Sequence, residues 1–422
     1  MQLDDYPSTA FGEARRTPGA HSYVAYFPAP IPRVLELPAH LIRLLADAEA
    51  ALGTLSGVGQ LLPNPYLLIR PYLLREALSS TRIEGTQASL FEVLEVGATG
   101  EAPNADVEEV LNYIEALEWG LGQLERLPLG VRLLREMHRR LLAGVRGRER
   151  MPGAFRTSQN WVGAGGSTIE TARFVPPPPQ ELPELLADWE RFAHEELDLP
   201  LLIQNALMHY QFETLHPFLD GNGRLGRLLI VFWLIDRGRL SAPLLYLSSY
   251  LERYYEALQT IRQSGDAVPW LELFLDAVKT QAADAVTRAQ RIAALREHYR
   301  ATAAAIASSK GMALVDLVCE QPIVSSRTVE TRLAVTRPTA LKLLRQLEQL
   351  GVLAEANHGP RGQQRYVARD LVAAVTEEPA AEIAPATEAR LQPERELGRS
   401  LAPAERSPEQ READSAGDVR PR

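Results

Sequence analysis

The sequence predicts a mainly α-helical protein with one β-hairpin near its middle and a small C-terminal winged helix-turn-helix domain. Three observations predict it. Apolar residues recur at spacings of three and four through most of the first 300 positions, the period of helices with one buried face. That pattern breaks once, after Gly153, at FRTSQNWVGAGGSTIETARFVPPPP, where β-formers flank a Gly-rich turn and a proline run ends the second arm. From 311 to 375, three short helical patterns precede a basic, Gly-containing segment, which is the order of a winged helix.

In chain order, residues 1–30 are expected to be loop-like, leaving through FPAPIP (27–32). A helix begins near Leu37, and a break at GVGQLLPNP separates it from PYLLREALSSTRIEGT. ADVEEVLNYIEALEWGLGQL repeats Val107, Val110, Leu111, Ile114 and Leu117, with Asn104 or Asp106 as its cap. VRLLREMHRRLL (131–142) is a further amphipathic helix. After the hairpin come ELPELLADWERFAHEE, LPLLIQNALMHYQFETL, RLGRLLIVFWLIDRG and SSYLERYYEALQTIR. A long, increasingly Ala-rich helix from Trp270 follows and is expected to leave the main body as a connector. The predicted divisions are 1–105, 106–300, 305–375 and a disordered Pro-, Ala- and charge-rich tail, 376–422.

At 422 residues, two or three domains are expected. Hydrophobic residues are 45% and charged residues 23%, ordinary for a soluble protein. A net charge of −9 argues against coating nucleic acid along the whole chain. It leaves room for one basic module: residues 310–370 hold nine Lys or Arg against six acids, a balance of +3. The single cysteine, Cys319, excludes an internal disulfide and sits among Leu314, Val315, Leu317 and Val318 as a small buried hydrophobe. The N-terminus has no apolar signal region, and LLIVFWLI (228–235) is bounded by Arg227 and Asp236, so a cytoplasmic location and no membrane association are expected.

The chemistry concentrates in HPFLDGNGRLGR, His216 to Arg227, between two apolar helical runs. Gly221 and Gly223 with Asn222 favour a turn that feeds a helix N-terminus. Such an end offers unpaired amides and partial positive charge, which suits a phosphate. Arg224 and Arg227, three apart, add guanidinium groups for further phosphate oxygens. Asp220 beside that nest would repel an anion without a cation, and one carboxylate with phosphate oxygens is the usual Mg²⁺ arrangement. His216 is the natural general base, having the one side chain here that titrates near neutrality. A plain helix–turn–helix joint needs only the turn; seven polar or glycine positions in register point to a site.

The stretch resembles the motif HPFxDGNGRxxR of the Fic family, AMP transferases with an all-α core, without departure. The resemblance implies that His216 deprotonates a Ser, Thr or Tyr hydroxyl of a target protein, or of the protein itself, which attacks the α-phosphate of ATP. Asp220 would hold Mg²⁺. Gly221, Asn222 and Gly223 would form the anion hole, Arg224 would hold the β-phosphate region and Arg227 the γ-phosphate, with Phe218 packed inward. Gly223 stands where kinase-type members carry Lys, favouring nucleotidyl transfer. GAFRTSQNWVG through ARFVPPPP is similar to the family's flap hairpin, and Arg173, Phe174 and Val175 would align the target by strand addition. Tyr254 and Tyr255 would line an adenine pocket or pack in the core. The resemblance covers roughly residues 25–280, and it allows a homodimer.

SSTRIEG resembles the family's inhibitory motif, [S/T]xxxE[G/N]. Ser80 and Glu84 lie one helical turn apart, with Gly85 following. The resemblance implies that Glu84 pairs with Arg227 and occupies the guanidinium meant for the γ-phosphate. Two other readings stay open. In one, the chain is a DNA-binding regulator working through residues 311–369, with Arg337, Lys342 and Arg345 on the recognition helix and an accessory Fic core. In the other, the same site removes AMP from a modified protein, with Glu84 positioning water.

Overall fold

The computed structural model describes residues 1–19, 22–61, 66–99, 104–163, 166–248, 250, 254–306, 308–356 and 364–376, with the side chains of 61, 66–71 and 97–99 excepted. The expected tail from 377, the wing residue Arg361 and the GAGGS turn residues 164–165 lie outside the described residues. Helices dominate, as the periodicity predicts.

The first 30 residues differ from the expected loop. Strands β1 (Gly12–Arg16) and β2 (Val24–Pro28) form an antiparallel hairpin, with Gly12 opposite Pro28 and Arg16 opposite Val24. Ala25 and Tyr26 are buried while Arg15 and Arg16 face solvent. A polar outer edge of this kind hides a short strand from a search for apolar runs.

Helices α1 (Ala39–Leu61), α2 (Tyr66–Ile83), α3 (Leu90–Thr99), α4 (Ala105–Gln123) and α5 (Val131–Leu141) follow. Asn104 caps α4, accepting from the Val107 amide at 2.9 Å. After the flap segment come α6 (Leu182–His194), α7 (Leu201–Leu215) and α8 (Asn222–Asp236). Both α7 and α8 are enclosed almost all round, polar residues included, as expected of a central pair. Three buried tryptophans fix the layers, each donating its indole N–H to a backbone carbonyl: Trp189 to Met208, Trp233 to Ala193 and Trp270 to Ala206, at 2.9–3.0 Å.

Helix α9 (Tyr254–Ser264) leads into α10 (Val268–Ala303), 36 residues long. The expected connector does not leave the body. Its small face, including Ala282, Ala285 and Ala289, is buried, and α1 lies along it. Buried residues run along the helix from Trp270 to Ala303, so its Ala-rich part is packed as well as its apolar start.

The C-terminal elements are α11 (Ser309–Glu320), β3 (Ile323–Ser325), α12 (Ser326–Leu333), α13 (Arg337–Gln349), β4 (Ala354–Ala356), β5 (Arg365–Val367) and α14 (Arg369–Thr376). The strands form one antiparallel sheet in the order β3-β5-β4. Ser308 and Ser325 cap α11 and α12, and Pro338 opens α13. This unit shares one continuous apolar core with the rest. Helix α11 packs on α2 and α10, α14 on α10 and α2, and β3 and α12 on α3. Arg365 pairs with Glu95 of α3, and Arg288 of α10 donates to the Ala374 and Val375 carbonyls at 3.2 and 3.1 Å. Cys319 is buried, its thiol pushed up to about 12 by burial.

Candidate active site

Helix α7 ends at Leu215 and α8 begins at Asn222, so HPFLDG forms the turn and Asn222 and Gly223 already belong to the first helical turn. His216 sits in the left-handed region (φ 45°, ψ 58°), which persists in a non-glycine residue only where the surroundings hold it. The holding groups come from the segment after α5. Buried Arg156 donates from Nε to the His216 carbonyl at 2.9 Å and from Nη2 to the Pro177 and Leu215 carbonyls, while its amide donates to Pro217. Burial lowers this guanidinium to about 10. Asn160 donates from Nδ2 to the Phe218 carbonyl at 2.8 Å and to that of His216 at 3.3 Å.

The Asn222 side chain also serves the turn. Its Oδ1 accepts from the Phe218 amide and its Nδ2 donates to the Phe218 carbonyl, both at 2.9 Å. The Asn222 side chain is therefore committed to the turn, and only its backbone amide is left to the helix start. Phe218 packs inward as expected, stacked on His138 with ring centroids 3.8 Å apart.

Helix α8 has Gly221 as its N-cap (φ 76°) and no side chain closes that end. The cap needs a residue that tolerates positive φ without a Cβ penalty. Gly223 is required for close approach: a Cβ there would lie 2.5 Å from Glu84 Oε1 and 2.9 Å from Arg227 Nη1. The two arginines of this turn are both buried but have different partners. Arg224 Nη1 lies 3.5 Å from Glu109 Oε2, and its Nη2 lies 3.5 Å from Asp220 Oδ1. Arg227 donates from Nε to Ser80 Oγ, and from Nη2 to the Ser80 carbonyl and to Glu84 Oε1, each at 2.9 Å.

Glu84 follows the last turn of α2, and its turn is held from the side. Thr86 Oγ1 donates to Glu109 Oε2 at 2.9 Å, and the Gln87 amide donates to Asp106 Oδ2 at 2.8 Å. Arg146 Nη2 reaches both the Glu84 carbonyl and Glu109 Oε2 at 3.2 Å.

The electrostatics follow from enclosure. Burial raises the Glu84 carboxyl, but the charge and hydrogen bond of Arg227, with Arg224 behind, hold it below the ordinary carboxylate value. Burial lowers His216 to about 4, helped by the Arg156 charge; the Glu213 carbonyl and Glu84 partly oppose this. The imidazole is neutral at pH 7, the state a proton acceptor needs. Buried Glu213, one turn before His216, is pushed up to about 7 by burial against the pull of Arg227.

Among the described residues of the hairpin one β-bridge joins the arms: the Val162 amide donates to the Phe174 carbonyl at 2.8 Å, and the Phe174 amide to the Val162 carbonyl at 3.0 Å. Its second arm is covered by the N-terminal hairpin. The Tyr26 amide donates to the Val175 carbonyl and the Tyr6 hydroxyl to the Arg173 carbonyl, both at 2.9 Å. Arg262 lies 4.0 Å over the Phe174 ring. Of the three residues expected to face a target, only Arg173 is exposed; Phe174 and Val175 are buried and anchor the flap. Tyr254 is likewise a core residue, packed against Tyr255, His209 and Trp270.

A histidine in left-handed geometry, an uncapped glycine-started helix and a glutamate on its second arginine now stand together, and family comparison agrees. Residues 128–234 match the Fic/DOC family and residues 42–122 the Fic/DOC family N-terminal region. These two stretches are similar in sequence to that family. The protein adenylyltransferases Fic of Drosophila yakuba and Drosophila melanogaster are each 29% identical over 204 residues, 47% of this chain. The match spans 38% and 39% of those relatives, about two fifths of their length. A crystal structure of a Fic family protein from Desulfovibrio desulfuricans superposes with a TM-score of 0.52 at 22% identity, covering 79% of this chain and 97% of that one, so the fold is shared.

Around the start of α8, the structure brings Ser80 and Glu84 onto the stretch from His216 to Arg227. It adds Arg156, Asn160, His138, Glu109 and Arg146, none of which stood out in the sequence. Each is a single polar residue on an otherwise ordinary helix or loop, and the available signal was faint: a lone His on the apolar face of α5, and a lone Glu on the buried face of α4.

Proposed function

We propose that the protein is an adenylyltransferase that moves AMP from ATP to a Ser, Thr or Tyr hydroxyl of a target protein or of itself, and that Glu84 restrains it. The observation that carries this reading is the convergence, on one uncapped helix start, of a neutral His216, the Asp220 carboxylate and two buried arginines, one of them held by Glu84. The hydroxyl gives its proton to His216 as its oxygen attacks the α-phosphorus. The bond from that phosphorus to the bridging oxygen breaks, and pyrophosphate leaves. The amides of Gly221, Asn222 and Gly223 face the charge that develops, and Arg224 and Arg227 hold the departing phosphates. Flap residues Arg173, Phe174 and Val175 keep the target segment in line, Arg173 at the surface and the other two from beneath.

Mg²⁺ fits the residues present. The Asp220 carboxylate is 38% exposed, and the space before its Oδ2 is kept by Gly147, where a Cβ would lie 2.7 Å away. Among the described residues no three potential ligands cluster, so the site suits an ion that takes one carboxylate and completes its shell with phosphate oxygens and water. When bound, such an ion neutralises phosphate charge.

Glu84 occupies the guanidinium that a γ-phosphate needs, and Ser80 holds the other side of that group. Removing the carboxylate frees Arg227. The test uses the wild type, Glu84→Gly and Glu84→Gly/His216→Ala with Mg²⁺, ATP labelled at the α-phosphate and a cell lysate. Glu84→Gly is expected to transfer label at least about tenfold faster, the value of one charge-assisted hydrogen bond. The double variant should lose about 100- to 10,000-fold of that rate. Equal labelling by the wild type and Glu84→Gly removes the restraint; no labelling by any of the three removes the transferase. If transfer fails, release of AMP from a modified protein at the same site is the reading to test next.

A second reading concerns α13. Arg337, Lys342 and Arg345 are all exposed on this helix, around a surface groove of about 530 Å³ that they line with Leu341, Gln346 and Gln349. This basic face fits duplex DNA. A salt-dependent shift of duplex DNA by the full chain, lost in Lys342→Ala/Arg345→Ala, supports it. Absence of a shift at low salt removes it.

A further inference from the structure

We propose that His138 is a positioning residue for Asp220, acting through the Asp220 backbone to aim its carboxylate at the metal; this rests on the metal role proposed for Asp220. Helix α5 buries Leu133, Leu134, Met137, His138 and Leu141, and His138 is the one polar side chain on that face. Its ring is fully enclosed, and each edge has a defined job. The Gly153 amide donates to Nδ1 at 2.8 Å, so Nδ1 carries no proton and Nε2–H donates to the Asp220 carbonyl at 2.8 Å. The face of the ring stacks on Phe218 at an interplanar angle of 12°.

These contacts determine where the Asp220 carboxylate points. Oδ1 is already fixed, accepting from the Gly221 amide at 2.6 Å and lying 3.5 Å from Arg224. The carbonyl of the same residue is fixed by His138. With both ends held, the side chain is confined to one orientation, with Oδ2 toward Gly147 and solvent. A histidine kept only for packing would need neither bond, and an apolar residue like its neighbours would fill the space without burying an imidazole. Partners that orient a ligand through hydrogen bonds set metal affinity without touching the ion.

Two amide substitutions separate the two bonds. In His138→Gln the side-chain N–H reaches the position of Nε2 and retains the bond to Asp220. In His138→Asn the amide oxygen takes the place of Nδ1, retaining the Gly153 bond and losing the one to Asp220. Both are made in the full chain carrying Glu84→Gly. Mn²⁺ affinity is measured by electron paramagnetic resonance with the α,β-methylene analogue of ATP, and Asp220→Ala defines the metal held by the nucleotide alone. The expected result is Mn²⁺ binding within about threefold of the parent for His138→Gln, and weaker by about 10- to 100-fold for His138→Asn. If His138→Asn does not fold, His138→Phe keeps the stack on Phe218 without a donor and takes its place. Equal Mn²⁺ affinity in the Gln and donor-less variants, whether both high or both low, overturns the proposal. An Asp220→Ala protein that binds Mn²⁺ as the parent does overturns the metal role itself, a separate outcome.

Discussion

Helices α4 and α8 pack against each other and both begin at the site, yet their first turns are built in opposite ways. Asn104 closes the start of α4 with its own side chain, and Asp106 and Glu109 on the first turns of that helix take the Gln87 amide and the Thr86 hydroxyl. Each of these bonds comes from within the chain. The start of α8 has a glycine cap in left-handed geometry and no side chain over its amides, and its asparagine is turned back onto Phe218. A helix end without a cap is stabilising only when something else supplies the negative charge. One end is closed by its own side chain; the other is left open, as the proposed phosphate site requires.

Variants that break this contrast follow, from the largest expected effect to the smallest. Arg156→Ala removes a buried cation whose side chain holds the Leu215 and His216 carbonyls and, beside them, that of Pro177. It should cost about 3 kcal/mol or more, read from the urea midpoint, and abolish labelling in the Glu84→Gly background. Retained labelling would mean that the left-handed His216 holds itself. Gly221→Ala places a Cβ at φ 76° and should cost about 1–2 kcal/mol while weakening nucleotide binding, measured by calorimetry with the ATP analogue. Asn104→Ala should cost about 1 kcal/mol, read from the urea midpoint, and leave nucleotide binding alone. Should the alanine at 104 impair binding as much as the one at 221, the distinction between the two helix starts is lost.

The pH response is the smallest effect and sharpens the same contrast. His216 must be neutral to accept a proton, and its value is lowered from 6.5 to about 4. Labelling by Glu84→Gly should therefore stay level as pH falls through 6.5 and decline only toward about 4. A decline centred near 6.5 would place the ring in water. The restraint behaves likewise: the Glu84 carboxyl is held below its ordinary value, so the pair with Arg227 persists above that range and is lost only on strong acidification. Mild acid should not activate the wild type.

The stretch proposed as catalytic is legible because its residues are contiguous, and the sequence spacing of Ser80 and Glu84 survives as a shared partner, Arg227. What could not be read is what crosses the chain. Arg156 and Asn160 act on a turn 56 to 60 residues away, and Glu109 reaches Arg224 across 115. No local period marks such residues. Phe174 lies on the second arm of the expected hairpin with Val175 beside it, but which face of that short arm is buried depends on the hairpin β1–β2, whose polar outer edge conceals it in the sequence. Helix α10 is hard to read for a related reason: an Ala-rich run has a weak apolar period, so its buried face does not stand out.

That long helix has a consequence for anyone shortening the protein. Helix α10 would span about 54 Å at 1.5 Å per residue. Its far half, with α2 and α3, is covered by α11, α12, β3 and α14. A chain cut after Ala303 would leave that apolar surface in water, beside the segment that carries Ser80 and Glu84. Such a truncation should aggregate, and whatever remained in solution would report on a damaged restraint rather than on a liberated enzyme.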